Sequence, residues 1–470
     1  MKSLILNIDN SSGTKLYKQI YSKLKEDILT GDIKSGEKMP SLRRIAKDNG
    51  VSLTTIEAAY NQLAIEGYII GRQRSGFFVA DGIEEAALNG EEGKTGYDIE
   101  EILSQNNNKN KLSSGETVYD EESFDFAKWK KCMNKVFNNY SNVLMTEPDI
   151  KGELALRYEI SKYLYQRRGI KADPNQIVVG AGTQQLTAHL IRILREIKIF
   201  NAATEMPGYG KVREIFKEEG FPITEVPILK NGIVIEKLPK KSRCVVYVNP
   251  SNQFPTGAVM PITRRYELIQ WASSSNNYIL EDDYDSELRY FGKPIAPLKS
   301  IDTNGRVIYM GAFASTLFDA IKISYMVLPA ELMDIFENIK HKYTQTCSKA
   351  EQMCLALYME EGYYHINIKK CRKLYEKKSK ESMKIFETYG TGLVKATDSQ
   401  SGLSVMLKIF TDISGKQLCD IGKRLGLYMK PVEDMSKVGE QVICFYFYKV
   451  PISMLKILIK MYIGNIKKLL

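Results

Sequence analysis

The sequence reverses charge at residue 81. Residues 1–80 hold twelve Lys and Arg against eight acids, a net +4, whereas residues 81–123 hold three Lys against twelve acids, a net −9. Residues 81–115 also carry paired glutamates, the Asn run 106–108 and scattered Gly, Ser and Lys. A stretch this polar has too little apolar surface to offset the entropy of folding, so it is expected to be a mobile acidic linker over 81–111. The chain must then fold as separate units on its two sides. At 470 residues there is room for about three lobes of ~150 residues each. A hydrophobic share of 44% and a charged share of 26% exclude a wholly disordered or collagen-like chain. No apolar run approaches the ~20 residues of a membrane-spanning helix, so no membrane partner is expected. Lys2 and the patch Leu4 to Leu6 are too little for a secretory leader. Seven cysteines, odd in number and without a CxxC pair, read as reduced thiols of a cytoplasmic protein. With only His189, His341 and His365, no metal site is expected.

The basic head has helical and strand-like pieces in a definite order. Leu16, Ile20, Leu24 and Ile28 repeat every four residues, an apolar stripe on one helix face. Ser41 can cap a short helix over Leu42 to Asn49 that carries Arg43 and Arg44, and Gly50 ends it. Ser52 caps a third helix, Leu53 to Glu66, with Ile56, Ala59, Tyr60 and Leu63 facing inward. Tyr68-Ile69-Ile70 and Phe77-Phe78-Val79 then read as two strands joined by a tip that carries Arg72 and Arg74. Two short helices across a tight turn, followed by a hairpin with a basic tip, is the layout of a winged helix-turn-helix. Ser52, Thr54 and Thr55 offer short hydroxyls to phosphates and base edges in a major groove. Arg43, Arg44, Arg72 and Arg74 can pair with phosphates or track a minor groove. A helical protein-interaction domain with surface arginines is the plainer alternative.

The run LYKQIYSKLKEDILTGDIKSGEKMPSLRRIAKDNGVSLTTIEAAYNQLAIEGYI, closing with GRQRSGFFV, resembles the GntR-type winged-helix domain over about 70 residues. The resemblance implies a partner, double-stranded operator DNA. One departure is Leu53, where that family usually has arginine beside the serine.

Beyond about residue 112, with Trp129 as a first large anchor, short apolar runs alternate with helical stretches. Ile177-Val178-Val179, Cys244 to Val248, Tyr278-Ile279-Leu280 and Val307 to Met310 fit buried, mostly parallel strands of an α/β sheet. Ligand residues of such sheets collect at the carboxyl ends of the strands. Gly180-Ala181-Gly182-Thr183-Gln184 comes after one run and opens a helix, where free N–H groups favour an anion; a simple tight turn reads the same way. Glu281-Asp282-Asp283-Tyr284-Asp285 comes after another, and its carboxylates could hold a metal, a protonated ring nitrogen or only water. Tyr209 sits on a rigid Pro-Gly turn, and Asn249 to Gly257 is a loop dense in amides and hydroxyls.

Order and spacing of these groups, with Gly152 to Arg157, Arg168-Gly169 and Arg264-Arg265, resemble the fold-type I, pyridoxal 5′-phosphate-dependent aminotransferase-like domain of MocR-type regulators, a GntR subfamily, over 112–470. The implied architecture is multidomain: a winged helix-turn-helix over 1–80, the linker over 81–111, and an α/β aminotransferase-like effector and dimerisation domain. The resemblance implies that Thr183 and Gln184 hold the cofactor phosphate, Tyr209 stacks on the ring, Asp282 pairs with the ring nitrogen and Tyr284 bonds the ring hydroxyl. It also exposes departures. The family's Gly-Thr-Phe-Ser-Lys is here Gly311-Ala312-Phe313-Ala314-Ser315, so Ser315 occupies the Schiff-base lysine position and cannot form an imine. Lys322 takes the place of a phosphate arginine, keeping charge without the bidentate fork. The strand Val442 to Phe445 has no arginine for a substrate carboxylate.

These departures favour a DNA-binding transcriptional regulator, working as a homodimer and sensing a small-molecule effector, without catalytic residues. Pyridoxal phosphate, if bound, is then held non-covalently; otherwise the pocket serves another effector. The alternatives are an active pyridoxal-phosphate aminotransferase with a DNA-binding appendage, in which Lys322 would have to replace the lost lysine, and a pseudoenzyme that answers to no ligand.

Overall fold

Leu16, Ile20, Leu24 and Ile28 share one face of helix α1 (Leu16–Leu29), and the last three are fully buried. The computed structural model describes residues 15–72, 75–82, 99, 122–290, 295–397 and 402–470. The chain divides into two units, residues 1–103 and 104–470. In the first, α1 packs on α2 (Leu42–Asp48) and α3 (Leu53–Ile65), and the antiparallel hairpin β1 (Ile69–Arg72) and β2 (Gly76–Val79) completes it. Ile56, Ala59, Tyr60 and Leu63 close the core against α1, and Ile69 and Val79 seal it from the hairpin side. Gly50 takes a φ of +63°, the left-handed conformation that turns the chain between α2 and α3. Ser52 caps α3 as expected, its hydroxyl accepting from the Thr55 N–H at 3.2 Å. Ser41 does occupy the cap position of α2, but its side chain makes no capping bond.

In the second unit, helices α4 (Phe126–Asn139) and α5 (Leu154–Arg168) precede β3 (Ile177–Gly180), which leads into α6 (Thr183–Glu196). Strands β4 (Asn201–Met206), β5 (Ile223–Leu229), β6 (Gly232–Ile233), β7 (Cys244–Val248), β8 (Tyr278–Asp282), β9 (Val307–Ala312) and β10 (Ser324–Val327) complete an eight-stranded sheet. Its order is β3-β10-β9-β8-β7-β4-β5-β6. The central run β9, β8, β7, β4, β5 is parallel, while β10 runs antiparallel to both β3 and β9. The four apolar runs read as strands are β3, β7, β8 and β9. Alternate side chains of β7 enter different cores, Val245 and Tyr247 one, Val246 and Val248 another, because helices cover both faces. The long helix α7 (Tyr363–Tyr389) leads to β11 (Val394–Thr397), β12 (Val405–Ile409), β13 (Met429–Pro431) and β14 (Gln441–Phe445). These form an antiparallel sheet ordered β11-β12-β14-β13, which shares a core with α7 and the terminal helix α8 (Ile452–Lys467). No helix among the described residues is long and apolar enough to cross a membrane. All seven cysteines are free thiols, six of them buried.

Candidate functional site

Parallel strands all deliver the residues beyond their carboxyl ends to one edge of the sheet. The segments after β4, β7, β8 and β9 therefore converge, and with Thr183 they wall a cavity of about 310 Å³ closed on another side by the small sheet. Tyr209 comes from the turn after β4, Asn252 to Gly257 from the loop after β7, Asp282, Tyr284 and Asp285 from the end of β8, and Ala312, Ala314 and Ser315 from the end of β9. Thr397 and Met406 come from the small sheet, and Leu403, Ser404, Tyr446 and Tyr448 from the segments flanking its strands β12 and β14.

Asp282 is the best-defined group in the wall. Its Oδ2 accepts from the Tyr247 hydroxyl at 2.6 Å, and its backbone carbonyl accepts from Asn249 Nδ2 at 2.9 Å. Its Oδ1 is buried without a hydrogen-bond partner, which makes it an acceptor left over for a ligand donor. Burial pushes this carboxyl up to about 7, the Tyr247 bond opposing and the Asp283 charge reinforcing that shift. The neighbouring acids are committed elsewhere. Asp283 is clamped by Arg168 at 3.0 and 2.5 Å and by the Tyr309 hydroxyl at 2.6 Å. Glu281 accepts from the N–H groups of Leu298 and Lys299, and Asp285 from Asn252 Nδ2 at 2.7 Å. The cluster thus does not converge on a cation, and among the described residues no group of three His, Cys, Asp or Glu could hold a metal. Glu205 lies behind the amide loop, where it accepts from the Asn249 N–H at 3.2 Å; burial raises it to about 8. Arg265 holds the same loop in place by donating to the carbonyls of Pro250 and Met260.

Ser315 also lines the cavity, and its hydroxyl donates to the Tyr284 carbonyl at 2.6 Å. Among the described residues of the wall there is no lysine or arginine. Lys322 is exposed, its ammonium on the Asp319 carbonyl at 2.7 Å, so it reaches the rim through Asp319 and not the wall. Gln184 is likewise exposed and outside the wall; one residue along, Gln185 folds back to accept from the Ala181 N–H at 2.7 Å. The wall therefore offers an unpaired carboxylate oxygen at Asp282, with Tyr209 and Tyr284 nearby and Thr183 on the first turn of α6, and its described residues offer no amine. Tyr247 inside β7, and Tyr446 and Tyr448 just beyond β14, escape a sequence reading, since a tyrosine in or beside an apolar strand carries no mark of its partner.

In the head, Arg43, Arg44, Ser52 and Thr54 are exposed and Thr55 is half-buried. Arg44 lies 3.7 Å from Asp48, and the Ser52 hydroxyl is bonded to both threonines at 2.8 and 2.7 Å. Arg72 stacks over the Phe78 ring at 4.5 Å. Arg74 lies outside the described residues.

Residues 16–79 match the gntR family of bacterial regulatory proteins, and residues 107–420 match aminotransferase class I and II. The HTH-type transcriptional regulator YdeL of Bacillus subtilis (strain 168) is 35% identical over 417 residues, 89% of each chain. The chain belongs to the MocR-type, gntR-family regulators. The rhizopine catabolism regulatory protein MocR of Rhizobium meliloti, itself named as probable, is similar at 26% identity over 91% of this chain and 88% of that one. The second unit has the fold of aminotransferases: the kynurenine aminotransferase of Pyrococcus horikoshii superposes with a TM-score of 0.65 at 24% identity, over 82% of this chain and 97% of that one. This MocR-type regulator thus joins a DNA-binding head to an aminotransferase-like domain.

Proposed function

We propose that residues 1–80 bind operator DNA through Arg43, Arg44, Ser52, Thr54, Thr55, Arg72 and Arg74. Residues 81–111 serve as a tether, and residues 112–470 dimerise and hold a small-molecule effector in the cavity beneath Asp282. The observation that carries this reading is a built, polar cavity with Ser315 and no lysine in its described wall, on the same chain as a gntR-type head. Without an imine-forming amine, transamination has no route for its proton shift, so the cavity reports occupancy instead of turning over a substrate. Pyridoxal phosphate fits it non-covalently: Asp282 would accept from the ring nitrogen, Tyr284 would bond the ring hydroxyl, Tyr209 would cover the ring and Thr183 would hold the phosphate. What that group supplies when bound is an aldehyde able to condense with a primary amine. The residues themselves bind and orient; none moves a proton to or from carbon. Occupancy changes the relation of the two heads in the dimer and with it the fit to spaced half-sites.

Titration of the full chain with pyridoxal phosphate, with absorbance and mass recorded before and after borohydride, tests the cavity. Saturable binding without a reducible adduct is expected, and Ser315→Lys should gain an adduct at that position. A reduced adduct on Lys322 of the unaltered chain would refute non-covalent binding, and no binding at all would exclude this ligand and leave another effector. For the head, Arg43→Ala combined with Arg74→Ala should weaken DNA binding about tenfold or more and lower the salt slope by about 2, since each phosphate contact contributes ~0.9. An unchanged affinity with an unchanged slope would place the DNA face elsewhere.

A further inference from the structure

The net charge of the chain is +10, and two helices hold most of it. Helix α7 carries eight Lys and Arg against three Glu, and α8 carries three Lys and no acid. On α7, Lys369, Lys373, Lys377, Lys380 and Lys384 recur at steps of three and four residues, and all five are exposed. Side chains at that spacing stand in one row, here about 22 Å long at 1.5 Å per residue. The opposite face is core: Cys371, Tyr375, Ser379 and Phe386 are buried there. Lys378 belongs to that side, its ammonium on the Tyr448 carbonyl at 3.0 Å, so it is structural and not part of the row. The α8 cations lie elsewhere: Lys460 is over the Tyr389 ring at 5.5 Å and Lys467 donates to the Tyr389 carbonyl at 2.9 Å, and Tyr389 is about 200° round the helix from Lys369.

Like charges at steps of four destabilise a helix. Glu376 relieves one of them by bonding Lys380 at 2.7 Å, whereas Lys373, Lys377 and Lys384 make no ion pair among the described residues. The cavity does not use the row either, since none of these lysines is in its wall. A straight line of cations every ~5–6 Å complements a rod-shaped polyanion better than a small ligand or a globular partner. We infer that the exposed lysine row of α7 in the aminotransferase-like unit is a second, sequence-independent contact surface for duplex DNA. This rests on the reading of the head as the sequence-specific contact, because that head brings the polyanion to this chain.

The test uses the full chain and two duplexes that share the sequence it selects from a random library, one of 20 base pairs, roughly two helical turns, and one of about 60 with arbitrary flanks. In Lys373→Glu/Lys377→Glu/Lys384→Glu, affinity for the long duplex should fall roughly 30-fold, its salt slope should fall by about 3, and affinity for the short duplex should hold. The neutral triple variant, with Gln at the three positions, should show the same direction with a smaller loss, and both should melt where the unaltered chain melts. Arg43→Ala should weaken both duplexes alike, which separates failure of the head from failure of this face. An unchanged long-duplex affinity and slope overturns the inference. So does loss of binding to phosphatidylserine vesicles with DNA binding intact, which would assign the face to a membrane surface. Selection of no duplex at all overturns the head reading and this inference with it.

Discussion

Asp282→Asn is expected to raise the stability of the second unit at pH 8 while abolishing tight binding in the cavity. The carboxyl titrates at about 7 in the fold because burial disfavours its charge, against ~3.9 in an unfolded chain. Below pH 4 both states hold the proton and the group contributes nothing to the difference. Between pH 4 and pH 7 the unfolded chain releases the proton that the fold keeps, so stability falls as pH rises, and above pH 7 the full penalty remains. A three-unit shift corresponds to roughly 4 kcal/mol, so relief on the order of 2–4 kcal/mol is expected in the variant. Asparagine can still accept from Tyr247, so the loss of charge is separated from loss of that bond. Melting midpoints of both proteins across pH 4 to 8 check this: the two curves should meet near pH 4 and diverge up to pH 7. Parallel curves would mean that Asp282 is ionised throughout. The same substitution removes the unpaired Oδ1 acceptor of Asp282, so ligands that donate an N–H to it should lose about 100-fold in affinity, the ~2.7 kcal/mol of a hydrogen bond to a charged group.

Arg168→Met should be among the most damaging single changes in the second unit. Arg168 and Asp283 are both almost fully buried, at 2.5 Å, and Asp283 lies one residue from Asp282 and two from Glu281. Methionine fills much of the volume but leaves Asp283 with only the Tyr309 hydroxyl, in a neighbourhood already rich in carboxyls. Breaking a buried pair from one side costs about 3–5 kcal/mol, because the remaining charge is uncompensated. Urea unfolding at pH 7 should show an unfolding free energy lower by that amount. A loss under ~1 kcal/mol would show that solvent already reaches the pair.

The head could be read because its information is local. A four-residue apolar stripe, a serine before each of two helices and glycines at the turns specify helices whose buried faces are then nearly forced. The cavity was legible in pieces for a related reason. Thr183, Tyr209, Asp282, Tyr284 and Ser315 each stand at or just beyond the end of a strand, and a parallel sheet gathers its carboxyl-end residues along one edge. Strands β4 and β10 were harder. Asn201 to Met206 has no β-branched run, and its place in the sheet comes from pairing with β5 and β7 on either side.

By itself, then, the sequence determined two units divided by an acidic stretch, a helix-turn-helix with a basic wing, an α/β sheet with ligand groups at its strand ends, and a hydroxyl at position 315. The tertiary structure alone decided which of those groups share a wall. It set Gln184 outside by a single residue's rotation of about 100° on α6, held Lys322 at the rim, paired Tyr247 with Asp282 across neighbouring strands, and brought Tyr446 and Tyr448 from just beyond β14 to close the cavity. Such partnerships join residues tens to hundreds of positions apart, and nothing in the local pattern around either partner encodes the distance at which they meet.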